Sequence, residues 1–242
     1  MYLTRFRVNT ARAQSRRLLS SPQTTHAAVM SSFPDLLPTA TDTPRVLWRL
    51  DRAATAQVHL FVASPTRPDL THLVEQTGWP AAATEQARGW TTYDYAPFLA
   101  RLDKGGTWNF RLTANPVHSI RNQEGVPTKR TAHLTPRHQL GWLLQRQEAG
   151  GFRIHEKPAD KQHTEFGDTH QVTVSDKRAL DFAKRGEKGR VTITTVTYDG
   201  RLEVTDPHAL RRLLTAGLGK AKAYGCGLMT LAPSGEHLSG KQ

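Results

Sequence analysis

Cysteine occurs once in 242 residues, at Cys226, so no internal disulfide can form and a reducing compartment is expected. No run of 18 apolar residues occurs, which excludes a membrane-spanning helix. The opening stretch MYLTRFRVNTARAQSRR carries Arg5 and Arg7 inside its only apolar segment and so lacks the core of a secretory signal. A cytoplasmic protein with no membrane partner is the expectation. Eleven histidines show neither His-x-x-x-His spacing nor a paired cysteine, which argues against structural zinc, and the basic segments hold no carboxylate pair suited to magnesium. No metal and no cofactor are expected, and any phosphate chemistry should be metal-independent.

Acid is scarce where base is dense. Lys and Arg number 33 against 21 Asp and Glu, a formal charge of +12 that favours a polyanionic partner, nucleic acid above all. Arg5, Arg7, Arg12, Arg16 and Arg17 all precede the first acid, Asp35. Lys177, Arg178, Lys184, Arg185, Lys188 and Arg190 crowd a second segment against Asp181 and Glu187. From Pro207 to Gly235 there is no acid at all, while Arg211, Arg212, Lys220 and Lys222 are present. Each segment alone reads as a solvated face; together they would suit one groove.

The hydrophobic content of 37% fits an ordinary folded core, and the length allows one large domain or two small ones. Residues 2–8 alternate with strand period. A loop and then a helix follow, the helix capped by Ser21, opened by Pro22 and closed by Pro34. RVLWRLD and AQVHLFVAS read as a hairpin, and weak helical segments lead to the alternating strand TWNFRLTA. The order is βαββαβ. It nearly repeats: a strand KRTAHL, a helix capped by Thr135 and ended by Gly150-Gly151, strands at FRIHE, DTHQVTVS and RVTITTVTY, an Asp199-Gly200 turn into RLEVT, a helix capped by Asp206, and a final strand GLMTLAP. Two tandem ferredoxin-like, RRM-like α+β domains are expected, 1–115 and 129–242, joined by a linker at 116–128, with an added hairpin in the second.

The most unusual segment is GLGKAKAYGCG, residues 217–227. It lies between a helix and a strand, and Lys220 is followed by Ala221, so it is neither a P-loop nor a dinucleotide fingerprint. Gly217 suits a helix C-cap. Two lysines and a tyrosine among the glycines suit backbone that meets a sugar-phosphate chain, with Tyr224 available for stacking. For proton transfer near neutrality histidine is the natural group, and His26 sits in the first turns of a helix where backbone N–H groups attract phosphate. The helix dipole favours neutral imidazole and a bound phosphate opposes it, so the direction of the net shift stays open. The bland reading is that His26, Val29, Met30 and Phe33 form one core stripe.

Taken together, MYLTRFRV, SPQTTHAAV, RVLWRLD, GRLEVTDPHAL and AGLGKAKAYGCGLMTLAP resemble the CasE family, CRISPR-associated endoribonucleases of type I-E systems. The most specific part is the pattern of Gly217, Gly219, Lys222, Tyr224, Gly225, Gly227 and Leu228. The resemblance implies two ferredoxin-like domains and a metal-independent cut at the 3′ side of a CRISPR repeat stem-loop. The ribose 2′-OH attacks the phosphate, leaving a 2′,3′-cyclic phosphate and a 5′-OH, and the product hairpin is retained beside the other Cascade subunits. It implies that His26 is catalytic, that the 217–227 loop lies beside the RNA, and that a basic hairpin around Lys177 and Arg178 enters the stem's major groove. Some relatives carry a tyrosine three residues before the histidine; here it is Gln23, which cannot act as a phenolic acid. Gln23, Lys220 or Lys222 is left to stabilise transition-state charge, with Arg16, Arg17, Lys184, Arg185, Lys188 and Arg190 as further RNA contacts. A non-catalytic RNA-binding scaffold is the alternative.

Overall fold

The computed structural model describes residues 1–34, 43–53, 57–84, 88–120, 129–163, 168–183 and 190–234. In β1 (Tyr2–Val8), Thr4, Phe6 and Val8 are buried while Arg5 and Arg7 are exposed, as the alternation predicts. Two helices follow, α1 (Ala13–Leu19) and α2 (Pro22–Met30), then the antiparallel pair β2 (Leu47–Arg52) and β3 (Val58–Ser64), α3 (Thr71–Thr77) and β4 (Trp90–Asp94). The strands pair in the order β2-β3-β1-β4, antiparallel throughout, which is the ferredoxin-like arrangement. Helix α1 falls in a stretch read as loop, because it has no capping side chain and little apolar periodicity. Tertiary contacts hold it: Leu18 joins the core and Ser15 donates to the Thr77 carbonyl at 3.3 Å.

A short helix, α4 (Ala96–Ala100), leads to β5 (Thr107–Ala114) and a separate hairpin of β6 (Val117–Ile120) and β7 (Lys129–Ala132). Next come α5 (Pro136–Leu144), α6 (Gln147–Gly150), β8 (Phe152–Ile154), β9 (Val172–Ala183), β10 (Arg190–Val204), α7 (Pro207–Ala216) and β11 (Met229–Pro233). The second sheet runs β11-β5-β10-β8, with β9 paired to β10. It repeats the strand order of the first sheet.

Three expectations change. The strand Thr107–Ala114 opens the second unit instead of closing the first, so the boundary falls ahead of Thr107 and not after Asn115. Its strong alternation, with Trp108, Phe110, Leu112 and Ala114 buried, comes from a central place in the second sheet. The strand that does close the first sheet, β4, lies at an edge and is polar, so it carries little pattern. The segment KRTAHL supplies an arm of the β6–β7 hairpin and joins neither main sheet. Finally, Asp199-Gly200 makes no turn: β10 runs straight through it. A Cβ at Gly200 would lie 2.4 Å from the Gln171 carbonyl oxygen, so glycine permits close backbone approach there.

One core gathers Phe6, Val29, Leu60 and Leu73; the other gathers Leu112, Phe152, Val196 and Leu210. Leu47, Ala63 and Leu228 form a small apolar seam between the sheets. Beside it Arg49 is buried and fully engaged. Nε and Nη2 donate to Asp51, Nη2 also to Thr230 Oγ1, and Nη1 to the carbonyls of Arg111 and Leu228.

Candidate active site

Helix α2 starts as its sequence dictates: Pro22 occupies the first turn and the Gln23 N–H donates to Ser21 Oγ at 3.2 Å. Thr25 and Val29 are buried, and Thr25 Oγ1 donates to the Leu18 carbonyl at 2.8 Å, which fixes the helix on its core. His26 is half-buried, and its Nδ1 is buried with no hydrogen-bond partner among the described residues. Burial pulls the His26 pKa below its ordinary value, and the positive charge of Arg45 pulls the same way. The imidazole is therefore held neutral at pH 7. Of the residues in the proposed core stripe, Val29 and Phe33 are buried; His26 is only partly so.

The glycine loop is shaped by what lies beneath it. Gly217 ends α7, with its N–H donating to the Leu213 carbonyl at 2.8 Å. Gly217, Gly219, Gly225 and Gly227 all adopt φ between 79° and 91°. A Cβ at Gly217 would sit 2.7 Å from Leu47 Cδ2, and one at Gly225 2.7 Å from the Trp48 ring. The loop thus lies flat on the start of β2. Gly219 faces Trp142 in the same way, whereas Gly227 faces the backbone of Leu218. The 3-10 turn Lys222–Tyr224 within the loop packs against α2, which brings the two ends of the sequence together.

The tyrosine of that turn reaches the second basic segment. Tyr224 meets Phe182 of β9 edge-to-face, with ring centroids 4.8 Å apart. Pro22 and Thr25 of α2, Trp48 and Arg52 of β2, Arg178 of β9 and Tyr224 line one cleft between the two sheets. Strand β9 carries a bulge here: Thr195 faces Arg178 but Thr197 faces Ser175, and Asp176 takes φ 49°. The extra residue re-aims the side chains that follow it. Arg178 lines the cleft and its Nε bonds Asp176 at 2.8 Å, while Lys177 Nζ donates to the Leu134 carbonyl at 2.8 Å.

Other basic residues stand further out. Arg16 and Arg17 are exposed on the last turn of α1 and do not line the cleft, although Leu19 of the same helix does. Lys220 is exposed and bridges Asn115, and Lys222 is half-buried at the start of the 3-10 turn. Arg190 pairs with Asp181 at 2.8 Å across the β9–β10 hairpin. Lys184, Arg185 and Lys188 lie outside the described residues. Among the described residues, no three His, Cys, Asp or Glu side chains are grouped to hold a metal ion.

Two cleft residues escaped the sequence reading. Arg52 ends β2 in the cleft, without a hydrogen bond or ion pair among the described residues, and burial followed by the charge of Arg178 lowers its pKa. Trp48 supports Gly225 from below. Both belong to the RVLWRLD strand, whose alternation signals a strand and nothing about a site.

Comparison with known proteins agrees with this architecture. The model of a family described as CRISPR associated protein matches residues 1–233. The chain is 30% identical over 236 residues to the CRISPR-associated endoribonuclease Cse3 of Thermus thermophilus, covering 96% of this chain and 100% of the relative. It is also 30% identical over 197 residues to the CRISPR system Cascade subunit CasE of Escherichia coli, covering 77% and 88%. Among solved structures, Cse3 bound to a 19-nucleotide RNA superposes with a TM-score of 0.72 at 28% identity, covering 96% of this chain and 100% of the other. Thermus thermophilus Cse3 bound to an RNA representing a pre-cleavage complex gives the same TM-score and identity over 96% and 98%. With its tandem ferredoxin-like sheets and its glycine loop set against α2, the chain belongs to the CasE family of CRISPR-associated proteins.

Proposed function

We propose that the protein is a metal-independent endoribonuclease that binds the stem-loop of CRISPR repeat RNA and cleaves at its 3′ side. It then keeps the hairpin as one subunit of a cytoplasmic Cascade complex. The observation that carries this reading is the packing of the His26 helix against the Lys222–Tyr224 turn, with a neutral, partly exposed imidazole whose Nδ1 is unoccupied. The relatives named above are an endoribonuclease and a Cascade subunit, and Cse3 has been solved with RNA bound. Neutral imidazole accepts the proton of the ribose 2′-OH as the 2′-oxygen bonds to phosphorus. The bond from phosphorus to the 5′-oxygen breaks as that oxygen takes a proton from water, leaving a 2′,3′-cyclic phosphate and a 5′-OH. Gln23, Lys220 or Lys222 donates to the charge that builds on the phosphorane. Tyr224 offers a ring for stacking, and Arg52 and Arg178 offer charge to the backbone.

The test is cleavage of a labelled CRISPR repeat hairpin in EDTA by the parent protein and by His26→Ala, with a parallel RNA carrying 2′-deoxyribose at the cut site. Cleavage by the parent alone, and of the ribose substrate alone, is the expected result. Cutting of the deoxy substrate would overturn the 2′-OH mechanism, and tight binding with no cutting would leave a scaffold.

A further inference from the structure

Three buried side-chain nitrogens near the junction of α2 and the glycine loop lack a hydrogen-bond partner among the described residues: His26 Nδ1, Arg45 Nε and Trp48 Nε1, and of these only the arginine nitrogen carries a fixed positive charge. A cationic N–H buried without an acceptor is costly and uncommon in a folded protein, and an absent ion and a catalytic role are among the explanations it calls for. Arg45 is half-buried and makes no ion pair among the described residues. Its place is built with care. The Arg45 backbone N–H donates to the Thr215 carbonyl at 3.2 Å, which ties it to the last turn of α7, just ahead of Gly217. Two and three residues further on, Leu47 lies under Gly217 and Trp48 under Gly225. The segment bearing Arg45 is therefore the floor on which the loop rests. Its positive charge, after burial, lowers the His26 pKa, and no carboxylate opposes that shift.

We propose that Arg45 is a second catalytic residue, its guanidinium donating to a non-bridging oxygen of the phosphate that His26 helps to cleave. The proposal rests on the reading of His26 given above. It supplies what Gln23 cannot: a fixed positive charge where negative charge develops. In the free protein Arg45 helps keep His26 neutral and able to take the 2′-OH proton. As the 2′-oxygen bonds to phosphorus, His26 becomes positive and the phosphorane gains negative charge. The phosphorane then offsets the repulsion between the two cations. The 5′-oxygen departs with a proton from water, and Arg45 neither gains nor loses one.

The experiment compares the full-length parent with Arg45→Gln, Arg45→Lys and His26→Ala in single-turnover cleavage of a CRISPR repeat hairpin between pH 5 and 9. Arg45→Gln should cleave about a hundred- to a thousand-fold more slowly, with hairpin affinity changed less than about tenfold. The acid limb of its pH–rate profile should move to higher pH, because His26 loses the neighbouring charge that lowers its pKa. Arg45→Lys keeps the charge but lacks the guanidinium fork, so its acid limb should stay in place while its rate falls at least about tenfold. A folded Arg45→Gln protein that cleaves at the parent rate, or slows with an unmoved acid limb, overturns the proposal. Should Arg45→Gln not fold, Arg45→Lys decides: cleavage at the parent rate overturns it. If His26→Ala still cleaves, the reading of His26 itself fails. If His26→Ala is inactive and Arg45→Gln is not, only the role of Arg45 is lost.

Discussion

Arg49 in β2 donates to the carbonyl of Leu228, at the end of the glycine loop, at 2.9 Å. With two bonds to Asp51 and one each to Thr230 Oγ1 and the Arg111 carbonyl, all five guanidinium N–H groups are used. A single buried side chain thus joins the first sheet to β5 and β11 of the second and holds the loop's exit in register. Arg49→Ala leaves two carbonyls without this donor and Asp51 with only Arg111, 3.8 Å away, and should cost about 3–5 kcal/mol in urea denaturation. Arg49→Lys should recover little of that, because an ammonium cannot present the same fork.

Gly225 and Trp48 form a second contact of this kind. An added Cβ would sit 2.7 Å from the Trp48 ring at a φ of +81°, so both packing and backbone resist it. Gly225→Ala should destabilise the protein by roughly 1–3 kcal/mol and slow hairpin cleavage, since the Lys222–Tyr224 turn would be pushed from α2. Gly141 is the control. It lies in the interior of α5 with nothing within 4 Å of an added Cβ, and Gly141→Ala should raise stability by roughly 0.5–1 kcal/mol. Paired melts and cleavage rates separate the two cases.

Elements that carry their own punctuation were legible before folding. Ser21-Pro22, Thr135-Pro136 and Asp206-Pro207 each open a helix as their residue types require, and Leu210, Leu213 and Leu214 point together into the core. The misplaced domain boundary has a different cause. An apolar alternation marks a buried strand but not which sheet buries it, so chain order alone groups β5 with the strands before it, although its partners are β10 and β11. Gly200 shows the same limit: Asp-Gly reads as a turn, but close passage of the Gln171 backbone asks for the same residue. At the site, His26 and the loop stood out by composition. Arg45 and Arg52 did not, because an arginine beside a strand takes its meaning from what the fold sets opposite it.

His26 gives a pH dependence with a definite sign. Burial and then Arg45 lower its pKa, so the acid limb of kcat/KM for hairpin cleavage should have its midpoint below 6.5 in the free protein. Stability follows the same shift. The unfolded chain protonates His26 near 6.5 and the folded one only at lower pH. The folded state's advantage is therefore complete above 6.5 and is lost as pH falls through the folded pKa. Between pH 7.5 and 5, urea denaturation should show the parent losing more stability than His26→Gln. Equal losses, or an acid limb above 6.5, would count against a buried neutral imidazole.

The bulge in β9 separates two neighbours that look equivalent in sequence. Arg178 lines the cleft beside Arg52 and Tyr224 with its Nε on Asp176 at 2.8 Å, whereas the Lys177 ammonium is turned to the Leu134 carbonyl at 2.8 Å and does not line the cleft. If RNA phosphates run through the cleft, the two residues release different numbers of counterions on binding. Arg178→Ala should flatten the slope of log affinity against log salt by about one unit, and Lys177→Ala by less. The double variant should flatten it by about one to two units. Filter binding of the hairpin across a series of salt concentrations measures all three. An unchanged slope for Arg178→Ala would move the backbone out of the cleft. A larger effect for Lys177 would mean that its ammonium leaves Leu134 to meet the stem, and that the bulge positions Lys177 for RNA instead of Arg178.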